Sequence, residues 1–153
     1  MHHDHRKLAI ETNQRTWKLL ENPARTPAES EEMVHAAHTS LWHWLKAGTG
    51  VNHQRGVWLI SRVCAELGRA VEARHYLDLT FDLTRANKAD LADFDFAFAE
   101  ALAARVSALE GRKDFARKHY ADAKKLGDAL PDEEDRKIFF DQLHAGAWFG
   151  FKP

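Results

Sequence analysis

Ile10, Asn13, Trp17 and Leu20 fall on one stripe at helical spacing, so the pattern predicts a first helix over residues 6–21, closed by Asn22 and Pro23. Thr26-Pro27-Ala28-Glu29 reads as a capping box with proline at the first helical position. It opens a second helix that runs to Gly48. A third, over 50–67, carries Gly56, Val57, Ile60, Val63, Cys64 and Leu67 within an arc of about 120°, a stripe expected to be buried. It stops at Gly68, and a fourth over 70–86 ends near Asn87. The fifth, over 91–110, has Asp90, Asp93 and Asp95 at its positive end and stops at Gly111. The sixth covers 113–126 and ends at Gly127; after Pro131, the run Asp132-Glu133-Glu134-Asp135 begins a seventh reaching His144. Seven helices with short connections predict antiparallel neighbours.

Composition agrees with an all-α fold. Twenty-four Ala and sixteen Leu stand against six Val and three Ile, so helix formers dominate and strand formers are scarce. The chain has 153 residues, enough for one domain with a real core. Its 22 Lys and Arg against 23 Asp and Glu leave no basic block, which argues against binding nucleic acid by phosphate neutralisation. The single cysteine, Cys64, lies on the apolar stripe, where a thiol is inert; it excludes internal disulfides and fits a reducing compartment. No apolar run approaches membrane-spanning length, and the N-terminal segment has no signal-peptide core, so a cytoplasmic protein without membrane contact is expected.

An internal repeat is the most informative feature. Residues 61–74 and 104–117 align without gaps and are identical at Arg62/Arg105, Val63/Val106, Ala65/Ala108, Gly68/Gly111, Arg69/Arg112, Ala73/Ala116 and Arg74/Arg117. Each window is a helix end, a glycine turn and a helix start, the mark of stacked helical hairpins. Gly111, Ala116, Tyr120 and Ala123 fall at the turn-glycine, small, aromatic and small positions of a tetratricopeptide repeat (TPR), and Gly68, Ala73 and Leu77 match in the earlier copy. The chain therefore resembles the TPR-like helical-repeat superfamily and is similar to short uncharacterised bacterial proteins of that type. Thr80 replaces the last small residue, Ser61 and Ala104 fill the usual first-helix glycine slot, and the period is 43 rather than about 34 residues. The resemblance implies a right-handed superhelix of hairpins at 6–47, 50–86 and 91–127, with a capping helix at 132–145 and an aromatic tail at 146–153.

The face of the third helix opposite its apolar stripe carries Asn52, Arg55, Trp58 and Arg62. In the resemblance that face lines a concave groove. Asp95, Phe98, Ala101 and Arg105 are the counterparts in the next repeat. Two arginines at equivalent positions offer planar forks to a carboxylate or phosphate, and Trp58 offers a stacking surface. His38 and Trp42 on the second helix join this groove or the interior. The competing reading makes the arginines structural, paired with Glu66, Asp95 or Glu100, and packs Trp58 against the next hairpin. Phe94, Phe98 and an alanine row at 97, 101, 104 and 108 read as core.

Metal chemistry is the second class considered. Glu32-x-x-His35 and Glu72-x-x-His75 have the spacing that helical-bundle metal sites use, with Glu21 and Glu66 as further carboxylates. Glu31, His35, His38 and Trp42 form another stripe, and Met1-His2-His3 has the make-up of a copper or nickel chelate. Eleven Glu and ten His also produce such spacings by chance, so no cofactor is expected. Gly48-Thr49-Gly50 is too short for a phosphate loop, and Ser30, Ser40, Ser61 and Ser107 lack nucleophile surroundings. Trp148, Phe149 and Phe151 should dock on the chain's own hairpins or in a partner or homodimer mate. The expected function is a non-catalytic module holding an acidic peptide segment or small anionic ligand. The alternatives are a metal-dependent helical-bundle enzyme and a subunit that dimerises through its tail.

Overall fold

In the computed structural model, residues 4–153 are described, and every regular element among them is an α-helix. These are α1 (His5–Leu20), α2 (Pro27–Ala47), α3 (Gly50–Glu66), α4 (Ala70–Ala86), α5 (Asp93–Leu109), α6 (Lys113–Asp128) and α7 (Glu133–His144). The chain divides into two compact units, Met1–Asn87 and Lys88–Pro153. No helix among the described residues is long and apolar enough to cross a membrane.

The repeat is visible in the backbone. Gly68 and Gly111 adopt φ of 74° and 77°, the left-handed region that an L side chain enters at a cost of roughly 1–2 kcal/mol. In each turn the amide three residues past the last helical residue reaches back to the carbonyl five residues earlier. Arg69 N donates to Cys64 O, and Arg112 N to Ser107 O, both at 2.9 Å. This is a Schellman-type closure that satisfies the last carbonyls of α3 and α5. Ala73 and Ala116, four residues beyond the arginines, are both fully buried.

In the first unit, α1 pairs with α2, α3 pairs with α4, and α2 packs on α3. Small residues allow the approach, and hydroxyls then bridge it. Ser40 Oγ donates to Ala9 O at 2.8 Å, and Ser61 Oγ to Ala73 O at 2.7 Å. Helix α3 is buried continuously from Gly56 to Ala65, so its expected polar face does not exist over those nearly three turns. Arg25 closes the far end of α1 by donating from one Nη1 to the carbonyls of Leu19, Leu20 and Asn22.

In the second unit, α5 pairs with α6, and α7 lies against both. The core joins Ala97, Ala101, Ala123, Leu130, Phe139 and Leu143, rimmed by Phe94, Phe98, Tyr120 and Phe140. The expected alanine row is buried at all four positions. The tail folds back onto this unit: Trp148 Nε1 donates to Leu143 O at 3.0 Å, and Tyr120 lies edge-on to Trp148. Phe149, at φ 56°, remains partly exposed.

Gly127 corrects the sequence expectation. It does not end α6, which continues to Asp128; it is buried inside the last turn. A side chain there would overlap the ring of the fully buried Phe139, so the glycine makes room for α7.

Two outcomes follow from this packing. Gly127→Ala gains up to about 1 kcal/mol of helix propensity but overpacks a closed contact at a cost of about 1–3 kcal/mol, so urea unfolding should show net destabilisation. Burial, with the Glu72 carboxylate adding to it and Arg69 opposing, pushes the Cys64 thiol up to about 11. At pH 8 the native chain should leave a disulfide reagent unreacted, and urea should release one thiol per chain.

Candidate functional site

The arginines at equivalent repeat positions are both buried, at 4% and 3% exposure, and each is held by a different partner. Arg62 Nη1 lies 3.0 Å from Glu66 Oε1, one helical turn on. Burial pushes the Arg62 guanidinium down from its ordinary value, and Glu66 works against that shift. In the second copy Leu109 occupies the Glu66 position, so Arg105 has no carboxylate one turn on. Its fork is taken up by main chain instead: Nη1 donates to Ala147 O at 2.9 Å and Nη2 to Gln142 O at 3.2 Å. The guanidinium also stacks over Trp148, 4.3 Å from the ring centroid.

The other candidates on these helices are also engaged. Asn52 Oδ1 accepts from Thr49 N, and Asp95 Oδ2 from Ala92 N, so this repeat pair satisfies the first turns of α3 and α5. Trp58, 9% exposed, stacks on Trp17 with ring centroids 5.8 Å apart. Phe98 packs edge-on against Phe139 at 5.0 Å. Thus Trp58 and Arg62, expected on an open side of α3, are interior, while Arg55 is exposed. Trp42 is 52% exposed, with the Lys46 ammonium 5.1 Å from its ring and His5 edge-on. His38 sits against the edge of Tyr76.

The Glu-x-x-His residues do not assemble as a donor set. Both Glu32 oxygens accept from Arg15, at 2.6 and 3.0 Å, and Glu31 pairs with Arg69. His75 lies edge-on to Tyr76. His35 and Glu72 share an electrostatic neighbourhood with His38, whose partly enclosed ring is pushed down by burial and by His35, with Glu72 opposing. Met1-His2-His3 lies outside the described residues. Among those described, the group with donor atoms in metal-ligand range is Glu100, His119 and Asp122. The sequence signal for it is the Gly111 turn, which folds α6 back along α5.

An open groove of about 740 Å³ lies between α6 and α7. Arg117, Lys124 and Asp128 line it from α6 at helical spacing, with Tyr120 beside them; Phe140 and His144 line it from α7. Arg117 Nη1 donates to Asp114 at 2.9 Å, whereas Lys124 makes no ion pair among the described residues. Aromatic rings with basic groups at the rim suit an extended ligand that carries negative charge. The stripe Arg117, Ala121, Lys124 and Asp128 was readable in the sequence; that α7 would border it was not.

Arg105→Ala should destabilise the chain by about 2–3 kcal/mol, because two charge-assisted bonds and a stacked ring are lost together. Amide exchange over residues 145–151 should rise, and Arg105→Lys, lacking the planar fork, should recover less than half of the loss. Searches against family models, curated proteins and solved structures found no match for this chain.

Proposed function

We propose that this chain is a non-catalytic binding module built of TPR-like helical hairpins, and that it holds an acidic peptide segment in the α6–α7 groove. The groove's lining carries the reading: it joins the basic side chains of Arg117 and Lys124 to the rings of Tyr120 and Phe140. Asp128, one turn beyond Lys124, repels carboxylates and favours placing the bound segment's acidic residues toward Arg117. Arg62 and Arg105 act in this reading as internal struts. The Gly68 and Gly111 turns, with Ala73 and Ala116 packed beneath, support the TPR-like reading of the hairpins. The tail's Trp148 and Phe151 are occupied by Tyr120, which favours self-docking over dimer exchange.

A fluorescein-labelled peptide with one Phe and three Glu, followed by anisotropy, tests this directly. Lys124→Glu combined with Arg117→Glu should weaken binding at least tenfold, about 1.4 kcal/mol, without shifting the melting temperature, since both side chains are exposed. Binding should also fall as salt rises. Equal affinity in the variant, or amide shifts confined to helices other than α6 and α7, would overturn the assignment.

A further inference from the structure

Apart from this groove, α6 presents a second chemistry on its other flank. At about 100° per residue, His119 and Asp122 lie roughly opposite the stripe of Arg117 and Lys124. Glu100 meets them from α5, and one donor atom from each of the three residues lies within 4.8 Å of the others. His119 Nδ1 is 2.7 Å from Glu100 Oε2, and both side chains are about a quarter exposed. The set is a nitrogen donor between two carboxylates, on two helices whose spacing is fixed. Ala116 and Ala123 bracket His119 and Asp122 on α6 and are fully buried.

Several surface carboxylates are answered by arginine or lysine, as in Glu32 with Arg15 and Asp141 with Lys137. No Lys or Arg pairs with Glu100 or Asp122 among the described residues; Glu100 has only the histidine, and Asp122 points into the same space. Two carboxylates therefore share a single imidazole. A divalent cation satisfies all three groups at once, whereas the histidine hydrogen bond satisfies one.

We propose that Glu100, His119 and Asp122 form a divalent transition-metal site, with zinc as the best-suited ion and solvent completing its coordination. One imidazole and two carboxylates match the borderline donor preference of zinc, and three protein donors leave an open position. Zinc bonds of about 2.0–2.2 Å place neighbouring donors about 3.3–3.5 Å apart. The His119–Glu100 contact of 2.7 Å therefore opens by about 0.6–0.8 Å as the ion enters, a change within reach of the Glu100 side chain. His119 ligates through Nδ1 with its proton on Nε2, so the ion replaces the hydrogen bond without oxidising or reducing any group.

The proposal is independent of the groove, because it uses none of the groove's residues. Zinc titration of the full chain by calorimetry should show one site with a micromolar Kd. His119→Gln should weaken that site at least tenfold, and Asp122→Asn should weaken it to a similar extent. Because the His119–Glu100 contact also ties α5 to α6, the unaltered chain provides a second readout. On adding one equivalent of zinc, the His119 ring resonances should shift before those of the other nine histidines. First movement at any other histidine, an unchanged site in His119→Gln, or no binding tighter than millimolar overturns the proposal.

Discussion

Close approach of helices is the constraint on which the rest of this structure depends. Serine and alanine meet between α1 and α2 and between α3 and α4, and alanines of α5 and α6 share one core. Small side chains let backbones come near one another, and dispersion contacts and buried area then accumulate over every turn. The consequence is that α3 and α5 are enclosed for most of their length. An unsatisfied polar group is costly in an enclosed helix, so a polar side chain buried there is stabilised by a partner within reach.

Arg62 and Arg105 show that requirement operating twice with different solutions. Both stand at the same distance before the same glycine turn, and both are buried. A carboxylate one turn on serves the first. The second has leucine there, and the carbonyls of Gln142 and Ala147 serve instead. The aromatic tail thereby acquires a physical role: it supplies one acceptor, Ala147 O, and a ring face to a buried cation, and that cation in turn fixes the tail. Tyr120 completes the arrangement by packing against Trp148 and Phe151.

Helix α6 has only three buried residues over its length, and two of its flanks carry different chemistry. Arg117 and Lys124 face α7 across the groove, while His119 and Asp122 turn toward Glu100 on α5. A single helix can present both because the two stripes are separated by the buried Ala116, Ala123 and Gly127 on one side and by solvent on the other. Gly127 contributes to both packing and groove: it lets Phe139 seat against α6, and that seating brings Phe140 and His144 to the rim.

The sequence alone determined the helices and most of their ends, because caps, turns and apolar stripes are local effects read within a few residues. Thr26 with Glu29, Gly68 and Gly111 behave in the structure as their local chemistry requires. Burial of the alanine row was likewise legible from its spacing. Tertiary structure alone decided which polar residues face solvent. A helical wheel shows that Trp58 and Arg62 share a face opposite the apolar stripe, but it cannot show that the face is covered. The same limit hid the function of Gly127, whose partner lies in another helix, and the meeting of Glu100 with His119 and Asp122. Local periodicity fixes a side chain's direction from its own axis, whereas its environment depends on neighbours that are distant in the chain and close in space.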